Sequence, residues 1–86
     1  MIRIVYTPEG IVIGEQINNA EINLLTLKDP CFLTVSKKED SRLQIDIAPL
    51  LGFPTEFKVG RGTINHDVTD ENVLAVYRSA VAAAKK

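Results

Sequence analysis

Residues 22–36 read INLLTLKDPCFLTVS, and this stretch decides the fold. Ile22, Leu24, Leu25 and Leu27 form an apolar segment that Asp29-Pro30 interrupts. Pro30 cannot donate to a strand ladder and is expected to push Asp29 into an extended conformation. Beyond it, Cys31, Leu33 and Val35 point one way, with Thr34 and Ser36 on the other side. The period stays near two on both sides of the proline, so the segment reads as one bent strand rather than two elements.

The flanks carry the same signal. Upstream, Ile2, Ile4 and Tyr6 alternate with Arg3 and Val5, and Pro8-Glu9-Gly10 forms a turn. Ile11-Val12-Ile13 is β-branched throughout and leads into Gly14, a bend or bulge position. Asn18-Asn19 marks a second turn. Downstream, residues 37–41 form a polar hairpin loop, and Leu43-Gln44-Ile45-Asp46-Ile47 is the cleanest alternation in the chain. Pro49 to Pro54 is a break carrying Leu50, Leu51 and Phe53. Glu56-Phe57-Lys58-Val59 alternates again, Gly60-Arg61-Gly62 is a flexible turn, and Ile64 begins a last short strand.

The period then changes. Val73, Leu74, Tyr77, Ala80, Val81 and Ala84 recur at helical spacing and form one apolar stripe. Thr69 is the expected N-cap, and Asp70 and Glu71 suit the positive end of the helix dipole. The expectation is mainly β: a single domain over residues 1–86, with a small, strongly bent, five-stranded open barrel over about residues 1–66 and a C-terminal α-helix over about residues 70–85. An open barrel has two edges rich in Ile, Val and Leu, and such edges are normally covered or paired. Where the two edges differ, copies of the chain pair head-to-tail and close as a ring.

Composition narrows the function. The 86 residues hold 10 Lys+Arg and 11 Asp+Glu, too balanced for a protein that wraps long nucleic acid. One Cys excludes an intrachain disulfide and a cysteine-rich zinc site. Residues 1–6 are too short and interrupted for a secretory signal core. No apolar run approaches the ~20 residues of a membrane span. The expectation is a cytoplasmic protein without membrane contact. No phosphate-cradling glycine loop and no nucleophile–base arrangement stands out, so neither an enzyme nor a cofactor is expected and no catalytic residue is assigned. His66 beside Asp67 and Asp70 could hold a metal or do acid–base chemistry, but helix-start capping accounts for the aspartates, so no metal site is assigned either.

Several short patterns together resemble the Sm/LSm family of ring-forming RNA-binding barrels, and within it the short Sm-like proteins of marine cyanophages. Gly10, Gly14, Asn19 and Ile22-Asn23-Leu24-Leu25 resemble the family's first motif. Val59-Gly60-Arg61-Gly62-Thr63-Ile64 resembles the second, and each is one residue short of the usual spacing. Leu27-Lys28-Asp29-Pro30, the turn from Ala48 to Phe53 and the tyrosine-bearing terminal helix resemble the cyanophage group. The helix lies at the opposite end of the chain from the family's usual N-terminal one.

The resemblance implies a homo-oligomeric ring of about five to seven subunits that binds single-stranded RNA, or DNA, near its pore. Asn23 would hydrogen-bond a base edge, Asn19 would brace its loop, Arg61 would stack on a base or pair with phosphate, and Gly62 would let the strand approach the backbone. The residues allow plainer roles too, with Asn23 as a turn former and Gly60-Arg61-Gly62 as a hairpin tip. Glu21 occupies the position that is often an aromatic stacking residue in the family, and a carboxylate there repels phosphate. That substitution favours the alternative: an oligomeric assembly module with no nucleic-acid binding.

Overall fold

The computed structural model describes residues 1–17, 23–39, 42–50, 56–60 and 62–85. Six strands and one helix follow in order: β1 (Ile2–Thr7), β2 (Gly10–Ile17), β3 (Leu24–Lys37), β4 (Leu43–Pro49), β5 (Glu56–Gly60), β6 (Asn65–Asp67) and α1 (Glu71–Ala84). All strand pairings are antiparallel, in the order β4-β3-β2-β1-β6, with β5 also paired to β3.

Among the described residues the strand count is six, not five. β4 pairs the second half of β3, from Cys31↔Pro49 to Lys37↔Leu43, and β5 pairs the first half, from Leu24↔Gly60 to Lys28↔Glu56. The two therefore lie end to end along one side of the same long strand. β4 ends at Pro49; the next bond, Leu50 N–H to Pro30 O at 3.3 Å, is one that Pro30 has no N–H to reciprocate.

β3 is the single bent strand expected from the sequence, and the bend has a definite cause. Ile13 pairs with Cys31 but Glu15 pairs with Lys28, so β3 spends three residues where β2 spends two. The extra residue inverts the facing of β3. Leu25 and Leu27 join Val5 and Val12 on one side of the sheet, whereas Cys31 and Leu33 join Ile4 and Ile13 on the other. Asp29 does not take the extended form expected before Pro30. Its φ is +52°, a left-handed conformation that Asp tolerates better than most residues. Three contacts hold it there. Its carbonyl accepts hydrogen bonds from Tyr77 Oη at 2.8 Å and Cys31 Sγ at 3.7 Å, and its carboxylate pairs with Lys85 Nζ at 3.1 Å.

Gly14 sits opposite this bulge and is buried. A Cβ on Gly14 would lie 2.9 Å from Leu27 Cβ and 3.1 Å from the Lys28 carbonyl oxygen. Glycine is required there for space.

The sheet is curled. β5 and β6 lie at opposite sides of the β3-β2-β1 set, about 19 Å apart if the strands lay flat. Yet Thr63 N–H donates to Gly60 O at 3.0 Å, closing a turn that leads into β6 at Asn65. Such a turn and two further residues span at most about 14 Å. The sheet must bend to bring its edges together.

Each face then has its own core. Inside the curl lie Val5, Val12, Leu25 and Leu27, with Phe32, Leu50, Phe57 and Val59 against them. The other face carries Ile4, Ile13, Cys31 and Leu33, covered by Tyr77, Val73 and Val81 of α1. All six residues of the helical stripe are buried or half-buried, and the helix positions between them are exposed. The amphipathic reading of the sequence is borne out. Cys31 is a free thiol within this core.

The helix begins one residue later than expected. Asp70, not Thr69, is the N-cap, and its Oδ1 accepts from Asn72 N at 2.8 Å and Val73 N at 3.2 Å. A carboxylate satisfies two free N–H groups there and also complements the dipole, which a threonine hydroxyl cannot do. Asp70→Ala is expected to cost about 1 kcal/mol, lowering the thermal midpoint by about 4–8 °C, whereas Thr69→Ala should leave it nearly unchanged in the same melt.

Candidate nucleic-acid interface

The register of β3 and β5 brings two distant pieces of sequence together. Leu24 pairs with Gly60 in an antiparallel ladder, so the residue before Leu24 and those after Gly60 lie at the same end of the sheet. Asn23 is the exposed turn residue at that end. Gly60 and Gly62 are exposed, and nothing among the described residues lies within 4 Å of where a Cβ would stand on either. Gly60 does not have a positive φ. Among the described residues nothing requires glycine at either position for space. Their open backbone is what a ligand strand needs for close approach. Asn19 and Arg61, the other two candidate residues, and Glu21 lie outside the described residues.

A polar network that the sequence did not reveal lies beneath this turn. Arg3 shares a sheet face with Val5, pointing into the curl. Its Nε donates to Gln16 Oε1 at 2.8 Å, its Nη1 donates to Asn65 Oδ1, and its Nη2 pairs with Asp67. Asn65 Nδ2 in turn donates to the Thr63 carbonyl at 2.6 Å. Arg3, Gln16, Leu25 and Asn65 line a small hollow of about 140 Å³. The one signal in the sequence was a charge at an inward strand position, which has to be partnered to be tolerated.

The other polar candidates are drawn apart. His66 Nε2 lies 2.8 Å from Tyr6 Oη, with the ring centroids 5.6 Å apart. Asp67 pairs with Arg3, and Asp70 caps the helix. Each is engaged with a different partner, and among the described residues no three His, Cys, Asp or Glu side chains converge to hold a metal. Tyr6 is 42% exposed and stands beside Ile64, 73% exposed, on the outer strand of the sheet. The Cys31 thiol is pushed up to about 11, first by burial and then by the Asp29 carboxylate, so it is not a nucleophile at neutral pH. Burial also raises Tyr77, whose hydroxyl stays protonated and shares its proton between the Asp29 carbonyl at 2.8 Å and the Lys28 carbonyl at 3.3 Å.

No family model matches the sequence, and no curated protein or solved structure matches it. Among the described residues no helix is long and apolar enough to cross a membrane.

Proposed function

We propose that this chain is an Sm-like open barrel that assembles head-to-tail into a ring of about five to seven copies and binds single-stranded RNA, or single-stranded DNA, at the end bearing Asn23 and the Gly60–Thr63 turn. The observation that carries this reading is the Leu24↔Gly60 pairing, which sets Asn23 beside a turn with two open glycines. Asn23 supplies an amide that can donate to and accept from a base edge. Arg61 supplies a planar cation for a base face or a phosphate. One Arg per chain is a weak site, but a ring repeats it around one circle and concentrates the field.

Support for the ring comes from the edges. β4 and β5 line one side of the sheet and β6 the other, each with one flank unpaired among the described residues. The edges differ, so self-pairing is head-to-tail and closes by rotation. Exposed Ile64 and Tyr6 at the β6 edge, and exposed Leu43 and Val35 toward the β4 edge, give such pairing apolar area to bury.

Glu21 and the net charge of −1 favour a second reading, an oligomeric module that binds no nucleic acid. Binding of short oligouridine and oligoadenosine strands separates the two. The first reading expects Arg61→Ala and Asn23→Ala each to weaken binding by about tenfold while the oligomer persists. Binding that survives both substitutions contradicts the site. A wild-type oligomer with no affinity at low salt supports the second reading.

A further inference from the structure

The turn after β5 combines two features that oppose each other. Gly60 and Gly62 carry no side chain to restrict it, and nothing among the described residues demands glycine at either for space. Such a turn has much conformational entropy to lose when a ligand orders it. Yet a dedicated network fixes its ends. Thr63 N–H is tied to Gly60 O, and Thr63 O is tied to Asn65 Nδ2. Asn65 is oriented by Arg3, and Arg3 is held from two further sides by Gln16 and Asp67. Arg3 gives its Nε and Nη1 donors to part-buried Gln16 and Asn65, at a strand position on Val5's side of the sheet where an aliphatic side chain would pack without needing partners. Paying entropy before binding, rather than during it, is how preorganised sites gain affinity.

We infer that Arg3 and Asn65 are positioning residues that hold the Gly60–Thr63 turn in the form that receives a nucleic-acid strand, an inference that rests on the single-strand-binding reading above. Neither residue touches the ligand. Asn65 is the relay, because its Oδ1 faces Arg3 and its Nδ2 faces the turn.

The test uses Asn65→Asp and Asn65→Ser. Asp keeps an oxygen for Arg3, now as an ion pair, but sets a second oxygen against the Thr63 carbonyl. Ser removes the amide donor without adding charge. Affinity for a short fluorescent oligouridine strand, at low and at raised salt, is measured alongside solution mass and thermal midpoint. The expected result is about tenfold weaker binding in both variants, the loss from one well-placed hydrogen bond. Mass and melting should stay near wild type, and the ratio to wild type should hold as salt rises. If Ser proves unfolded, Asp alone carries the test, because it keeps the Arg3 contact. A loss confined to Asp that vanishes with salt is repulsion of the strand, and it overturns the inference. Wild-type affinity in both variants, with Arg61→Ala still impaired, also overturns it and leaves the binding reading intact. A wild type that binds nothing removes both.

Discussion

Tyr77→Ala is expected to lower the stability of the domain by about 3–5 kcal/mol, enough to leave a domain of this size largely unfolded near body temperature. The side chain is only 4% exposed and sits in the cluster formed by Ile4, Ile13, Cys31 and Leu33. Removing it uncovers that cluster and the seam between α1 and the sheet. It also strips the Asp29 carbonyl of its 2.8 Å partner at the point where β3 carries its extra residue. Tyr77→Phe separates the two contributions. It keeps the ring and deletes the hydroxyl, so the expected cost is about 1–2 kcal/mol, that of one buried hydrogen bond. Urea unfolding of the three proteins should rank them wild type, Phe, Ala. A thiol reagent gives an independent readout. Cys31 is buried with its pKa pushed up to about 11, so it should react slowly at pH 8 in the wild type and rapidly in Tyr77→Ala. Equal stability of Phe and Ala would mean that the ring packs against nothing.

Gly14→Ala is expected to destabilise by about 1–3 kcal/mol, although alanine is the smallest change a glycine can undergo. The new methyl would meet Leu27 Cβ at 2.9 Å and the Lys28 carbonyl oxygen at 3.1 Å. Neither can retreat as the tip of a flexible side chain could. Both belong to the backbone-fixed part of β3, which is already distorted by its extra residue. Relief therefore requires β2 and β3 to separate where the two halves of the sheet meet. The expected shift in thermal midpoint is a drop of about 5–20 °C. A second substitution, Leu27→Ala, should not restore the loss, because it removes atoms beyond Cβ and leaves the clash in place. Recovery of wild-type melting in that double variant would show that the side chain, not the strand, was the obstacle.

The sequence made the local patterns legible. Alternating or β-branched runs placed the first five strands, Ile64 pointed to a sixth that begins at Asn65, and the stripe from Val73 to Ala84 placed the helix and its buried face. These follow from alternation and from helical spacing, which the chain expresses without reference to distant residues. What the sequence did not disclose depends on pairing across distance. The sequence shows β4 and β5 as separate alternating runs but not that both pair with β3, and the six strands exceed the five expected for the barrel. The left-handed Asp29 follows from Tyr77 and Lys85 reaching it from the C-terminal helix and its cap, with Cys31 two residues along β3, against the local preference before a proline. The shift of the helix cap to Asp70 is a one-residue choice between two good caps. Of the candidate site, Asn23 and Gly62 were named from the sequence, and the Leu24↔Gly60 register puts their segments together. The Arg3–Asn65–Asp67 network was not named, because its members lie far apart in the chain and only the β1–β6 pairing joins them.

The most direct test of the ring-and-strand account is the mass of the protein in solution, measured by light scattering with and without a short single-stranded oligouridine. The chain weighs 9.5 kDa. The account requires a discrete species of about five to seven chain masses that gains the mass of bound oligonucleotide at low salt and loses it as salt rises. A particle of one chain mass, unchanged by the oligonucleotide, would contradict it.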